Sequence, residues 1–241
     1  MPVAAPPTAS LDGTVFFTGF HVPKIEATIT EKNPDGSLGK SISVVKETVI
    51  GRNQCDVNYP DDVLLSPRHA CLEVREGRLH LRDLDSQNGT FVRQREDSEL
   101  TPGDMFVVGR KLFRFATQGR EEAEGGGEGT VVWSGAPKLQ RGPVTAKLEL
   151  IKITGEVMQE FRLEKPETTL GRAAGDLVFK DDPYMSGKHA RIVAQGDRFV
   201  LQDLKSRNGV YRRIHAEIEL LDGDEFFLGE QIFQVAVKVV E

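Results

Sequence analysis

The chain has 241 residues, 39% of them hydrophobic, with 31 basic and 37 acidic side chains and a formal net charge of −6. That balance argues against a general nucleic-acid coat, whose grip on phosphate backbones needs a basic surface. No apolar run reaches the roughly 18 residues that cross a bilayer, and two cysteines, Cys55 and Cys71, are too few for a disulfide framework or a cysteine-rich zinc site.

Residues 1–21 read as a tail. The opening MPVAAPPTASLDG has neither the basic start nor the apolar stretch of a signal peptide, so a cytoplasmic location is expected. From residue 22 the pattern turns to strands. Ile25, Ala27 and Ile29 alternate with Glu26, Thr28 and Thr30, the period of a sheet with one buried face. Turn signals follow at Asn33-Pro34-Asp35-Gly36, Glu76-Gly77, Asn88-Gly89 and Pro102-Gly103-Asp104. Residues 119–143 are rich in Gly and Glu, then in Pro and Gly, and read as a linker. As free coil its ends would lie on the order of 28 Å apart. Beyond it Ala146, Leu148 and Leu150 alternate with Lys147 and Glu149, turns recur at Gly196-Asp197, Asn208-Gly209 and Asp222-Gly223-Asp224, and Phe233, Val235, Val237 and Val239 close the chain in alternation. No helical stripe of ten residues stands out. Many short strands between frequent turns predict an all-β chain of β-sandwiches.

The second half repeats the first. Residues 49–115 align with 169–235 without a gap, at a constant offset of 120 and with about a third of the positions identical. The repeated apolar residues Leu81/Leu201, Leu84/Leu204, Phe106/Phe226 and Phe113/Phe233 read as core. Gly89/Gly209 and Gly103/Gly223 read as turn positions with positive φ. Packing does not account for the repeated polar set: Arg52/Arg172, Ser66/Ser186, Arg68/Lys188, His69/His189, Ser86/Ser206 and Asn88/Asn208. Arg offers a fixed fork of donors that fits a phosphate, and Ser and Asn donate without charge. Together they would make an anion cradle. Alone, Arg52 and Arg172 could be structural ion pairs, and Asn88 and Asn208 mere turn formers. Asp83 and Asp203 are expected to brace loops. No nucleophile–base pair or metal-ligand cluster accompanies the histidines, so neither enzyme, metal nor cofactor is expected.

The order and spacing of Gly51-Arg52, Ser66-x-x-His69 and Ser86-x-Asn88-Gly89, and again of Gly171-Arg172, Ser186-x-x-His189 and Ser206-x-Asn208-Gly209, resemble the forkhead-associated (FHA) domain, a phosphothreonine-peptide-binding β-sandwich. The resemblance covers residues 22–118 and 144–241. It implies two FHA-type sandwiches in tandem, joined by the 119–143 linker. It implies that Arg52 and Arg172 hold the phosphate, that Ser66 and Ser186 hydrogen-bond it, and that Asn88 and Asn208 bind the peptide main chain. His69 and His189 would lock the serine loop, beside the turn glycines Gly51, Gly89, Gly171 and Gly209. Arg68, Lys188, Gln87 and Arg207 flank the cradle as further peptide contacts. The partners implied are phosphothreonine-containing proteins, a Ser/Thr protein kinase or its substrates, with no nucleic acid and no membrane. The rival reading is a phosphate-independent scaffold or oligomerisation protein.

A second similarity lies outside the sandwiches. Gly13-Thr14-Val15-Phe16 and Gly129-Thr130-Val131-Val132 each follow an acidic residue and precede a repeat. We favour an apolar clip docking on a sandwich. The alternative makes Thr14 and Thr130 phosphosites bound by an FHA site of this or another chain, by analogy with bacterial FHA regulators that recognise themselves.

Overall fold

The computed structural model describes residues 23–33, 36–118 and 145–240. The whole tail (1–21) and linker (119–143), with Thr14 and Thr130, lie outside the described residues. Among those described there is no helix, and hence none long and apolar enough to cross a membrane.

Twenty strands follow in order. The first repeat contributes β1 (Lys24–Lys32), β2 (Leu38–Val44), β3 (Glu47–Gly51), β4 (Val57–Asn58), β5 (Ala70–Arg75), β6 (Arg78–Asp83), β7 (Thr90–Arg93), β8 (Ser98–Leu100), β9 (Met105–Val108) and β10 (Lys111–Gln118). The second contributes β11 (Thr145–Ile151), β12 (Val157–Arg162), β13 (Glu167–Gly171), β14 (Leu177–Val178), β15 (Ala190–Gln195), β16 (Arg198–Asp203), β17 (Val210–Arg213), β18 (Ile218–Leu220), β19 (Glu225–Leu228) and β20 (Gln231–Val240). The turns are as the sequence implies: φ is positive at Glu76 and Gly77, as a two-residue hairpin turn requires, and at Gly89, Gly103, Gly209 and Gly223.

The repeats do not close on themselves. One ten-stranded sheet runs β12-β11-β10-β9-β17-β7-β19-β20-β1-β2, and two five-stranded sheets run β14-β13-β15-β16-β8 and β18-β6-β5-β3-β4. The last three strands of each repeat therefore complete the other repeat's sandwich. Strand β1 pairs with β20 rather than β10, as in Ile29↔Val235, while β10 pairs with β11, as in Phe115↔Leu148. Strand β6 takes β18 as its neighbour and β16 takes β8. At the centre β7 and β17 run antiparallel and join the two halves.

The cores show the same exchange. One cluster packs Ile29, Ile50, Leu72, Leu79, Leu81 and Val92 of the first repeat with Leu220, Phe226, Leu228, Phe233 and Val235 of the second. The other packs Leu100, Phe106, Val108, Phe113 and Phe115 with Leu148, Leu170, Ile192, Phe199, Leu201 and Val210. Phe226 and Phe233 are fully buried in the first module, each worth about 1.5–3 kcal/mol there. Three sequence expectations change. Leu84 and Leu204 are only half-buried, because they begin the loops after β6 and β16. Val239 is 71% exposed near the end of β20, past the core cluster. Gln118 and Thr145, flanking the linker, are direct partners across adjacent strands, about 5 Å apart rather than a coil's span.

The crossover between modules is held by polar contacts as well. Gln94 N–H donates to Val210 O at 2.8 Å and Ile214 N–H to Thr90 O at 3.0 Å. Arg95 pairs with Asp224, and Arg212 with Asp104 at 2.7 Å. The buried Glu225 carboxylate receives Lys32 at 2.5 Å, Arg93 at 3.1 Å and the Tyr211 hydroxyl at 2.8 Å. Burial raises the Glu225 pKa, but these partners outweigh it and hold the carboxyl below its usual range.

The exchange is directly testable. Thr28 and Ala236 are register partners on the outer face of β1 and β20. Thr28→Cys with Ala236→Cys should form an intrachain disulfide, read by mass mapping without reductant, since paired strands bring Cα atoms within bonding range. Thr28→Cys with Ala116→Cys should not. Bonding of that second pair instead would mean that the repeats close on themselves.

Candidate functional site

The repeated polar residues gather at one loop end of each module, on three connections: β3–β4, β4–β5 and β6–β7 in the first, β13–β14, β14–β15 and β16–β17 in the second. Backbone bonds fasten the first two connections together. Arg52 N–H donates to Ser66 O at 3.0 Å, and Arg172 N–H to Ser186 O at 2.9 Å. The approach is close enough that a Cβ on Gly51 would overlap the Pro67 carbonyl and one on Gly171 the Gly187 carbonyl. This is why glycine precedes each arginine.

The histidines hold the serine loop. His69 and His189 are fully buried. Nδ1 of His69 accepts the Ser66 N–H at 3.1 Å while its Nε2–H donates to Gly89 O at 3.1 Å; the second copy repeats this at 3.0 and 2.9 Å. Both partners are satisfied only by the neutral Nε2–H tautomer. Burial pushes both histidine pKa values down.

The third connection is tied in by side chains. The Ser66 hydroxyl accepts the Gln87 N–H at 3.0 Å, and the Ser186 hydroxyl the Arg207 N–H at 3.1 Å. Asn88 Nδ2 donates to Leu64 O and Asn208 Nδ2 to Tyr184 O, each at 2.7 Å. The asparagines thus bridge two loops and are more than turn formers. Each serine hydroxyl keeps its proton to donate, and each asparagine keeps an acceptor oxygen.

Beneath them, Asp83 accepts the Ser86 N–H and hydroxyl at 2.7 Å each and the Thr90 hydroxyl at 2.6 Å, while Ser86 accepts the Gly89 N–H at 2.9 Å. The aspartate braces the loop as expected. In the second copy Val210 replaces Thr90, and Asp203 keeps the Ser206 N–H at 2.9 Å. Cys55 Sγ lies 2.9 Å from Pro67 O and burial raises its pKa; Cys71 is buried and its thiol is pushed up to about 11. Both thiols are unpaired. No group of three or more metal-ligating side chains is found among the described residues.

Above this frame stand the cations. The guanidiniums of Arg52 and Arg172 make no hydrogen bond or ion pair among the described residues, so neither is a structural ion pair. Arg172 is exposed and Arg52 half-buried; Arg68, Lys188, Gln87 and Arg207 have exposed side chains. The cradle residues expected from the sequence thus lie on three joined loops at one end of each module.

Sequence reasoning did not find the support from the opposite repeat. Asp62, in the β4–β5 loop, accepts the Glu230 N–H at 2.8 Å and Gln231 Nε2 at 3.0 Å from the β19–β20 turn. Asp182 accepts the Arg110 N–H at 2.7 Å from the β9–β10 turn. The Arg213 side chain lies against Gly89, and that of Arg93 against Gly209. The repeated Asp-Asp pair at 61–62 and 181–182 was the available signal.

The FHA domain family matches residues 48–109 and 168–229, about half of the chain, in two copies. The glycogen accumulation regulator GarA of Mycolicibacterium smegmatis is 31% identical over 131 residues, 53% of this chain and 80% of that protein. An oxoglutarate dehydrogenase inhibitor of Corynebacterium diphtheriae is 32% identical over 90 residues; the match spans 36% of this chain and 63% of that relative's length. Among solved structures, Mycobacterium tuberculosis EmbR in complex with a low-affinity phosphopeptide matches at 31% identity, with a TM-score of 0.22, over 34% of this chain and 23% of that one. The sandwiches and their loop ends define a tandem β-sandwich binding protein. The chain belongs to the FHA domain family.

Two expectations follow, one from the histidine locks and one from the close approach at Gly51. A histidine whose folded pKa is depressed takes up its proton first in the unfolded chain. Stability is then full above about pH 6.5 and falls as pH drops below that value. Denaturant titrations from pH 7 down to pH 5 should show stability falling below about pH 6.5, by at most about 1.4 kcal/mol per pH unit for each histidine, and His69→Gln should remove its share of that slope. Gly51→Ala should displace the serine loop, costing about 1–3 kcal/mol, whereas Gly187→Ala, where an added Cβ meets nothing, should be near neutral.

Proposed function

We propose that this chain is a phosphothreonine-peptide-binding signalling adaptor with two readers, one at the loop end of each module. Arg52 and Arg172 take the phosphate. Ser66 and Ser186 donate to it. Asn88 and Asn208 take the peptide main chain, with Arg68, Gln87, Lys188 and Arg207 at the margins. The observation that carries this reading is that Arg52 and Arg172 have no ion-pair partner among the described residues, while serine and asparagine on the adjoining loops keep hydrogen-bonding capacity to spare. A phosphothreonine brings a charge of about −1.5 to −2 and three acceptor oxygens, which match that set.

The recognition is electrostatic and non-catalytic. The loops beneath the readers are already hydrogen-bonded to one another before the ligand arrives, so little ordering is left to do on binding. Partners are phosphothreonine-containing proteins, a Ser/Thr protein kinase or its substrates, met in the cytoplasm. The relatives' names describe regulators of metabolism, which fits an adaptor that acts by binding. The sequence units 22–118 and 144–241 each carry one reader, although each sandwich is built from both.

Titration of an oriented phosphothreonine peptide library tests this. Charge-assisted hydrogen bonds are worth about 1.5–3 kcal/mol each. Arg52→Ala and Arg172→Ala should each weaken their own site by roughly tenfold to a hundredfold, and the double variant should lose phosphate-dependent binding altogether. Wild-type binding that survives dephosphorylation of the peptide would instead favour a phosphate-independent scaffold.

A further inference from the structure

The two sites share one frame but differ sharply in charge. At five matched positions around the cradle the first module has Pro60, Asp85, Gln87, Glu230 and Gln231, and the second has Lys180, Lys205, Arg207, Arg110 and Lys111. Two carboxylates and no cation face five cations and no carboxylate. None of the five cations makes an ion pair among the described residues. The aspartate pairs Asp61-Asp62 and Asp181-Asp182 are common to both modules, so they do not offset the difference.

Two of these cations come from the opposite repeat. Strand exchange delivers the β9–β10 turn to the second module, where the Arg110 N–H is held by Asp182 at 2.7 Å. The exposed Arg110 guanidinium lies over the Tyr184 ring, 5.5 Å from its centroid. The carbonyl of that same tyrosine accepts Asn208 Nδ2 at 2.7 Å. Arg110 is thus one residue removed from the asparagine of the reader. Beside it Lys111 and Lys180 line a cavity of about 280 Å³ with Phe179 and Asp181. The matched position in the first module carries Glu230, with its N–H on Asp62 in the same way.

Building on the phosphothreonine reading, we propose that Arg110, stacked on Tyr184, forms with Lys111 and Lys180 a second anion subsite beside the second reader. It selects phosphothreonine peptides with a further anionic group nearby, either a second phosphate or a run of carboxylates. The first reader, with Glu230 in that place, lacks this preference. Cations clustered at one cleft reinforce one another's field and raise the affinity and capture rate of an anionic peptide. Without exchange, Arg110 would serve the first reader instead.

The test uses full-length variants in which one reader is silenced: Arg52→Ala reports the second site, Arg172→Ala the first. Each is titrated by fluorescence anisotropy with three peptides that share one phosphothreonine, flanked by alanines, by glutamates, or by a second phosphothreonine. At the second site the anionic-flank peptides should bind on the order of tenfold tighter than the neutral one, with the gain shrinking at high salt. The glutamate and phosphate arms identify which anion is preferred. Arg110→Glu with Lys111→Gln installs the pair that stands at 230 and 231, which this fold already accepts at the matched turn. It should abolish the gain, weakening the anionic-flank peptides more than the neutral one. Equal affinity of all three phosphopeptides at the second site overturns the subsite alone. So does a flank preference at the first site that disappears with Arg110→Glu. Absence of phosphate-dependent binding at both sites overturns the reading on which the subsite rests.

Discussion

Everything in this molecule depends on the antiparallel pairing of β7 with β17. Each chain segment leaves that central pair toward the opposite module, and the last three strands of each repeat then have only the other repeat's sheets to complete. The repeats run without a gap from Val49 to Phe115 and from Thr169 to Val235, so the strands fit the exchanged seats without adjustment. Phe226 sits where Phe106 would, and Phe233 where Phe113 would. The exchange costs no hydrophobic contact of kind, and it adds the β7–β17 bonds and the Arg93, Tyr211 and Glu225 contacts between modules.

The consequence for the loop ends is that neither reader belongs to one repeat. The arginine, serine, histidine and asparagine of a cradle come from one copy, but the turn that supports its β4–β5 or β14–β15 loop comes from the other. Asp62 and Asp182 are the joints. Each holds a backbone N–H of the exchanged hairpin, so the side chains at that turn become part of the reader they face. Two binding ends on one continuous sheet also hold a fixed separation. Bivalent capture is then governed by the spacing of the partner's phosphothreonines and not by the length of the 119–143 segment.

Much of this was legible in the residues themselves. Period-two alternation placed the strands and their buried faces, as at Ala27 and Ile29 or Leu148 and Leu150. The spacing of Gly51-Arg52, Ser66-His69 and Asn88-Gly89 placed the cradle. What the pattern did not carry was partnership. Alternation tells which face of β1 is buried but not whether β10 or β20 lies beside it, because Phe113 and Phe115 alternate as Phe233 and Val235 do. Arg110 was illegible for the same reason: its meaning depends on which module receives its turn. Arg52 and Arg172 needed the structure in another way, since only the surroundings show that no carboxylate among the described residues pairs with them.

The path of the ends gives the architecture a further meaning. Lys24 lies beside Val240, and Gln118 beside Thr145. In geometry this matches two single-repeat subunits with exchanged strands, the end of one joined to the start of the next. In such a homodimer every substitution appears twice, and both readers must stay alike. Joining the subunits releases that symmetry while keeping the interlocked core. One turn can then be Arg-Lys and its counterpart Glu-Gln, and a single polypeptide carries two loop ends of the same frame but different charge.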